Sequence, residues 1–398
     1  MKSKKRLSLY IHIPFCVQKC RYCDFFSAAA SAQEKHQYTE LLCREIRSWG
    51  RMLREKYSVY TIFIGGGTPT CLSAEQLHKI GAAIRESFDC DELTEFTTEA
   101  NPGTVMPEHL TVWQQMGINR VSLGLQSAQN RELQMLGRIH SYEEFLTTYQ
   151  MIRQSGMDQI NIDVMAAIPE QTLESYQDTL EKIVSLNPEH ISSYSLIIEP
   201  GTVFGDWEKN GTLKHVDEDV DRQMYEWTGK YLQHMGYQRY EISNYCRDGM
   251  ECRHNCVYWS GGEYLGLGVN ASSYLTGYRF HVPVSQKTYR SYVDRICVLA
   301  EKESEGLKKA VQEMDELEFI DQRAQMEEFM FLGLRMMAGV SEQEFYQRFG
   351  ISMMEVYGDI IKKYQNMDLL CRRDTGRVAL TEKGIDVSNS ILSDFLLN

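Results

Sequence analysis

The sequence predicts an α/β fold, a partial (β/α)6, TIM-like barrel followed by a small, mostly α-helical C-terminal domain. Three observations predict it. Short β-rich runs recur six times between residues 7 and 197, segments with helical spacing of apolar residues fill the intervals, and the last hundred residues turn helical.

The β-rich runs fall at 7–13, 59–64, 93–98, 120–125, 159–165 and 190–197. Between them, Ser73 with Gln76 and Ser141 with Glu144 each open a helix as a capping box. Phe145, Tyr149 and Ile152 then keep to one face, and Leu173, Tyr176, Leu180, Ile183 and Val184 mark another helix at the same period. Strands that alternate with helices pair in parallel, because each crossover helix packs back on the sheet. An open doubly wound sheet satisfies the same alternation, and six units fall short of the eight of a full TIM barrel. Both architectures gather ligands at the C-terminal ends of the strands.

Residues 216–285 are mixed: a helix over 217–235 precedes a stretch rich in Tyr, Gly and Asn. Beyond 286, Met326, Phe329, Met330, Gly333 and Met337 keep helical spacing and end at Gly339, a suitable C-cap, and Ser341 with Glu344 opens the next helix. The methionine stripe reads as core filling rather than a binding groove. The expected division is a core over 1–235, an extension over 236–290 and a helical domain over 291–398.

Hydrophobic residues at 43% and charged residues at 24% are those of an ordinary globular protein. The 42 basic and 55 acidic side chains give a net charge of −13, which argues against a nucleic-acid or anionic-membrane surface. The start, MKSKKRLSLYIHIPFC, imitates a signal peptide, but His12 and Pro14 interrupt its apolar run and no small-residue cleavage site follows. A cytoplasmic protein is expected. Eleven cysteines, an odd number, favour metal ligands and buried thiols over a disulfide framework in a reducing compartment.

The strongest motif is Tyr10-Ile-His12-Ile-Pro-Phe-Cys16-Val-Gln-Lys-Cys20-Arg-Tyr22-Cys23-Asp-Phe25, in which a strand delivers cysteines spaced C-x3-C-x2-C. Thiolates are the ligands of iron–sulfur clusters, and such spacings let one loop wrap three corners of a cubane and leave one iron open. A zinc site with a distant fourth ligand, or three buried thiols, would use the same residues. After the second strand, Gly65-Gly66-Gly67-Thr68-Pro69 allows a sharp turn and a close backbone approach, presenting N–H groups to a polar or anionic ligand. A plain turn is the alternative.

Together these motifs resemble the radical-SAM family around oxygen-independent coproporphyrinogen III oxidase. Further matches run in order along the chain: Thr98-Glu99-Ala-Asn-Pro-Gly, Arg120-Val-Ser-Leu-Gly-Leu-Gln126-Ser, Leu136-Gly-Arg138-Ile-His140, Asn161-Ile-Asp163-Val-Met, Tyr194-Ser-Leu-Ile-Ile-Glu-Pro-Gly-Thr and Leu380-Thr-Glu-Lys-Gly. The resemblance implies a radical SAM barrel and a [4Fe–4S] cluster on Cys16, Cys20 and Cys23, with S-adenosylmethionine (SAM) chelating the free iron. It implies that Tyr10, Tyr22, Gly66, Gly67, Thr68, Glu99, Gln126, Arg138 and Asp163 line the SAM pocket. Glu99 and Asp163 can accept hydrogen bonds from ribose hydroxyls or an ammonium, and Arg138 can bind a carboxylate bidentately. An electron donor such as flavodoxin or ferredoxin would reduce the cluster.

Departures point to a branch. Coproporphyrinogen dehydrogenases carry another cysteine where this chain has Phe25. Instead, His254-Asn255-Cys-Val-Tyr258-Trp259 resembles the H-N-x-x-Y-W signature of HemW-type heme chaperones, which implies heme as cargo and a heme-acceptor protein as partner. Imidazole is a standard axial ligand for heme iron, and Tyr and Trp offer flat surface to a porphyrin; a buried structural histidine is the alternative. Oxidation of coproporphyrinogen III to protoporphyrinogen IX stays open as the second activity, as does a homodimer. Two stretches depart from the family: Val269-Asn-Ala-Ser-Ser273 in place of Pro-Gly-Ala-His-Ser, and Ala166-Ala-Ile-Pro-Glu170 in place of Tyr-Gly-Leu-Pro-Gly. Cys246, Cys252 and Cys256 bracket His254 at a spacing that would suit zinc, a second cluster or plain buried thiols.

Overall fold

The structure, a computed structural model, describes residues 4–302, 306–312, 314 and 316–397. Leu7, Leu9, Ile11 and Ile13 point to one face of the first strand and Ser8 and His12 to the other, and all six are buried. A strand covered on both faces belongs inside a parallel sheet. Accordingly, β1 (Lys5–Ile13), β2 (Tyr57–Gly66), β3 (Glu95–Ala100), β4 (Arg120–Gln126), β5 (Ile160–Ala166) and β6 (His190–Ser195) lie side by side in chain order, each parallel to the next. A doubly wound sheet reverses its strand order at a switch point; this one does not, which favours the partial barrel. Register places the C-terminal ends of the strands along one rim, with Ile13 opposite Gly66 and Ala100 opposite Leu123.

The capping boxes at Ser73 and Ser141 form as expected: Gln76 Oε1 and Glu144 Oε2 each accept the cap residue's N–H at 2.8 Å. The helix expected over 217–235 spans Glu218–His234, with Asp217 as its N-cap. Beyond it, β7 (Gln238–Glu241) and β8 (Asn244–Cys246) extend the sheet past β6. At the other edge β9 (Tyr264–Leu267) runs parallel to β1, followed by β10 (Ser272–Leu275), β11 (Tyr278–His281) and β12 (Glu318–Phe319). The helices Gln286–Ala300 and Gly306–Gln312 pack on this unit, and Tyr289, Tyr292, Ile296 and Leu307 join its core.

A second core gathers Met330, Phe345, Tyr357, Ile361, Val378 and Phe395. It is helical, as expected, but also holds a three-stranded antiparallel sheet, β13 (Val340–Ser341), β14 (Leu370–Arg373) and β15 (Arg377–Leu380). The helix expected to reach Gly339 ends instead at Gly333. Val340 pairs with Val378 in the small sheet, and Gly339 turns into it at φ 69° with the Val378 carbonyl against its α-carbon, so the chain leaves the helix early to reach that strand.

One buried acid gives the fold a pH dependence. Glu45, on the helix Ala32–Leu53, is fully buried, where it accepts hydrogen bonds from the Gly268 N–H at 2.9 Å and the Tyr289 hydroxyl at 2.7 Å. Burial pushes its carboxyl from 4.5 to about 7, more than these bonds lower it. Between those values the folded chain holds a proton that the unfolded chain has lost, so stability falls as pH rises through that window and is flat above it. Glu45→Gln keeps an acceptor and removes the charge. It is expected to be roughly 2–3 kcal/mol more stable than the parent at about pH 8, the difference closing toward about pH 5, as read from urea midpoints.

Candidate cofactor site

The cysteine loop leaves β1 with Phe15 buried and is pinned at three points. Cys16 N–H donates to Ala28 O at 3.1 Å, Ala28 N–H to Pro14 O at 3.0 Å, and Arg21 N–H to Leu136 O at 2.9 Å. The loop is thereby fixed over the rim, and Cys16, Cys20 and Cys23 stay unpaired and part-exposed. All three line a cavity of about 380 Å³ together with Tyr22, Gly66, Gly67, Glu99, Gln126, Arg138 and Asp163. Residues from Cys16 to Asp163 thus meet at the C-terminal ends of β1 to β5.

The walls differ in chemistry. At the cysteine wall, Arg138 Nη1 lies 3.6 Å from Cys20 Sγ, while its Nη2 donates to Asn101 Oδ1 at 2.6 Å and to Gly124 O. Thr68 Oγ1 lies 3.5 Å from Cys16 Sγ and accepts from Asn101 Nδ2 at 2.6 Å. At the opposite wall stand two carboxyls. Burial pushes Glu99 up to about 8, with the charge of Asp163 adding to it, and burial raises Asp163 against the pull of Asn161, which donates to it at 2.7 Å. A guest bringing an ammonium and hydroxyl donors would relieve both acids. β4 carries a bulge before Gln126, which sits in the left-handed region at φ 76° and is held by the Tyr194 hydroxyl at 3.1 Å. A Cβ at Gly124 would lie 3.0 Å from Asn101 Oδ1, so a larger residue there would press on the Asn101 side chain. Asn101 and Tyr194 also line the cavity; both stand in runs that resemble the family, at or just past a strand end.

Two sequence expectations need amending. The glycine run does not offer its N–H groups to a ligand: Gly66 N–H donates to Glu99 Oε2 at 3.0 Å, Gly67 N–H to Ile13 O at 2.8 Å and Thr68 N–H to Phe15 O at 2.7 Å. Its value is close approach, since a Cβ at Gly67 would lie 2.6 Å from Phe15 O. Thr68 and Tyr10 stand behind the cavity rather than on its wall. The Tyr10 hydroxyl lies 3.0 Å from His12 Nδ1 and borders a neighbouring cavity of about 360 Å³ that shares Phe25 with the first and adds Tyr258. In the departing loop, Ala167 and Glu170 both adopt positive φ, 57° and 67°, the left-handed region that favours glycine.

The H-N-x-x-Y-W segment forms a short helix, Arg253–Trp259, that plugs the barrel from its N-terminal side. Glu95 of β3 caps it, its carboxylate accepting the N–H of Arg253 at 2.8 Å and of His254 at 3.0 Å, with Cys252 Sγ at 3.5 Å. His254 is 1% exposed. Its Nδ1 meets Thr61 Oγ1 and its Nε2 the Tyr258 hydroxyl, each at 2.9 Å, it stacks on Phe63, and burial pushes its pKa down to about 3. The helix nevertheless reaches three cavities: Asn255 borders the cysteine cavity, Tyr258 the second, and Cys256 and Trp259 a third near the C-terminal core; His254 lines none of them.

Among the described residues no three His, Cys, Asp or Glu side chains converge on a single-ion site. Cys246 and Cys252 are buried, and burial pushes the Cys246 and Cys256 thiols up to about 12. No helix among the described residues is long and apolar enough to cross a membrane.

Comparison with known proteins agrees with this geometry. A family model described as the radical SAM superfamily matches residues 10–183, and one described as the HemN C-terminal domain matches 320–387. The chain is 36% identical over 395 residues to the heme chaperone HemW of Lactococcus lactis, covering 99% of this chain and 98% of that protein. It is 35% identical to the heme chaperone HemW of Bacillus subtilis over 98% of this chain and 99% of the relative. The solved coproporphyrinogen III oxidase (HemN) of Escherichia coli, a radical SAM enzyme, superposes with a TM-score of 0.82 at 22% identity, over 99% of this chain and 90% of that one, which shows a shared fold. Radical SAM membership implies a [4Fe–4S] cluster and SAM as cofactors. With full-length relatives above 30% identity and the cysteine loop facing one polar cavity, the chain belongs to the HemW family of radical SAM proteins.

Proposed function

We propose that this protein binds heme at the H-N-x-x-Y-W helix and delivers it to an acceptor protein, with a [4Fe–4S] cluster on Cys16, Cys20 and Cys23 and SAM in the adjoining cavity. The observation that carries the reading is the placement of that helix: one element borders the cysteine cavity through Asn255 and two further cavities through Tyr258 and Trp259. The names of the full-length relatives point the same way. When bound, the cluster and SAM supply one-electron cleavage of SAM, with a flavodoxin or ferredoxin as electron donor. The chain's own residues bind and orient. Arg138 offers a guanidinium beside the cysteine wall for a carboxylate, Glu99 and Asp163 accept from ammonium and hydroxyl groups, and Gln126 is held toward the cavity by Tyr194. His254, Asn255, Tyr258 and Trp259 form the heme segment.

Anaerobically reconstituted protein titrated with heme is expected to show a saturable Soret change, and to leave coproporphyrinogen III unconverted in the presence of SAM and reductant. Formation of protoporphyrinogen IX, or heme uptake that never saturates, would contradict the proposal.

A further inference from the structure

The third cavity, about 380 Å³, lies where the lower end of the barrel meets the second core, and its lining includes Arg6, Arg253, Cys256, Trp259, Met336 and Arg377. Three guanidinium groups edge it. Arg377 is fixed by donating to Ala338 O at 3.0 Å and Gly339 O at 2.7 Å, Arg6 sits over the Tyr60 ring at 4.6 Å, and the exposed Arg253 side chain makes no hydrogen bond or ion pair among the described residues. Glu344 is the one acid on the lining, 3.5 Å from Arg377. Trp259 supplies a flat wall with Arg335 stacked at 4.5 Å, and the buried Trp259 Nε1 and Arg335 Nε have no hydrogen-bond partner among the described residues. Cations at the edge, an aromatic wall and a sulfur suit a flat, carboxylate-bearing metal macrocycle.

We infer that this cavity seats the carboxylate-bearing edge of heme and that Cys256 supplies the axial ligand. The inference rests on the heme-binding reading above and deepens it. On the helix Arg253–Trp259 three side chains carry an atom that ligates iron. His254 lines no cavity and has both ring nitrogens engaged, and the Tyr258 hydroxyl is engaged with His254. Cys256 alone of the three borders this cavity without a side-chain hydrogen bond among the described residues. Coordination to ferric heme replaces the Cys256 S–H bond by S–Fe; the proton passes to solvent and no electron moves.

The test is ferric heme titrated into the reconstituted full chain, followed by reduction under carbon monoxide. The unaltered chain is expected to show the long-wavelength Soret band of a thiolate-ligated ferrous–CO heme. Cys256→Ala, with circular dichroism like the parent, is expected to lose that band and about tenfold in affinity, and Arg253→Glu to keep the band but weaken binding by about tenfold. Heme bound by Cys256→Ala with an unchanged spectrum overturns the assignment and leaves heme binding standing. No saturable uptake by the unaltered chain overturns both.

Discussion

Alanine at Cys16, Cys20 or Cys23 is expected to abolish the iron–sulfur chromophore of the anaerobically reconstituted protein and all SAM cleavage, while alanine at Cys246, Cys252 or Cys256 leaves both intact. The reason is local. Three protein thiolates on a four-iron cubane leave one iron free for an exchangeable ligand, and the cavity wall carries no fourth cysteine to replace a lost one. Arg138 stands at the same wall, its Nη1 3.6 Å from Cys20 Sγ. Iron and sulfide analysis with an absorption spectrum checks the result. A cluster that survives in Cys20→Ala at parental content would rule out the assignment.

The second large effect is expected at Glu95, which takes no part in the cofactor cavity. Its 2%-exposed carboxylate accepts two backbone N–H groups at the start of the Arg253–Trp259 helix and helps offset the charge of Arg120, itself 3% exposed. Glu95→Ala strands the buried His254 N–H and the part-buried Arg253 N–H and leaves the arginine less compensated, a loss of about 3–5 kcal/mol. Glu95→Gln keeps one acceptor and is expected to lose only about half as much. Urea unfolding of the two variants measures the difference, and parental stability of Glu95→Ala would show that the barrel does not hold the helix through this residue.

Much of this architecture was legible because its signals are local. The six strands announce themselves by β-branched runs, and Ser73, Ser141 and Asp217 fix helix starts through side-chain bonds within three residues of themselves. The cysteine loop was legible for the same reason: its chemistry is written in eight consecutive residues. Glu95 was not. It reads as one more residue of a strand, and the helix it caps begins 158 residues later. His254 reads equally well as ligand or core; only the approach of Thr61, Phe63 and Tyr258 decides that it is buried with both nitrogens engaged. The small sheet of the second core escaped because strands as short as Val340–Ser341 show no period. The glycine run lies at the end of β2, and its N–H groups turn inward because Glu99, Ile13 and Phe15 reach them first.

The central claim is that three N-terminal sulfurs hold a cubane whose remaining iron is open to SAM. Electron paramagnetic resonance of the reduced, reconstituted chain, recorded before and after adding SAM, tests it most directly. Samples holding about four iron and four sulfide ions per chain are expected to change their spectrum on SAM addition. A cluster signal that SAM leaves unmoved, or a protein that takes up only zinc, would contradict it.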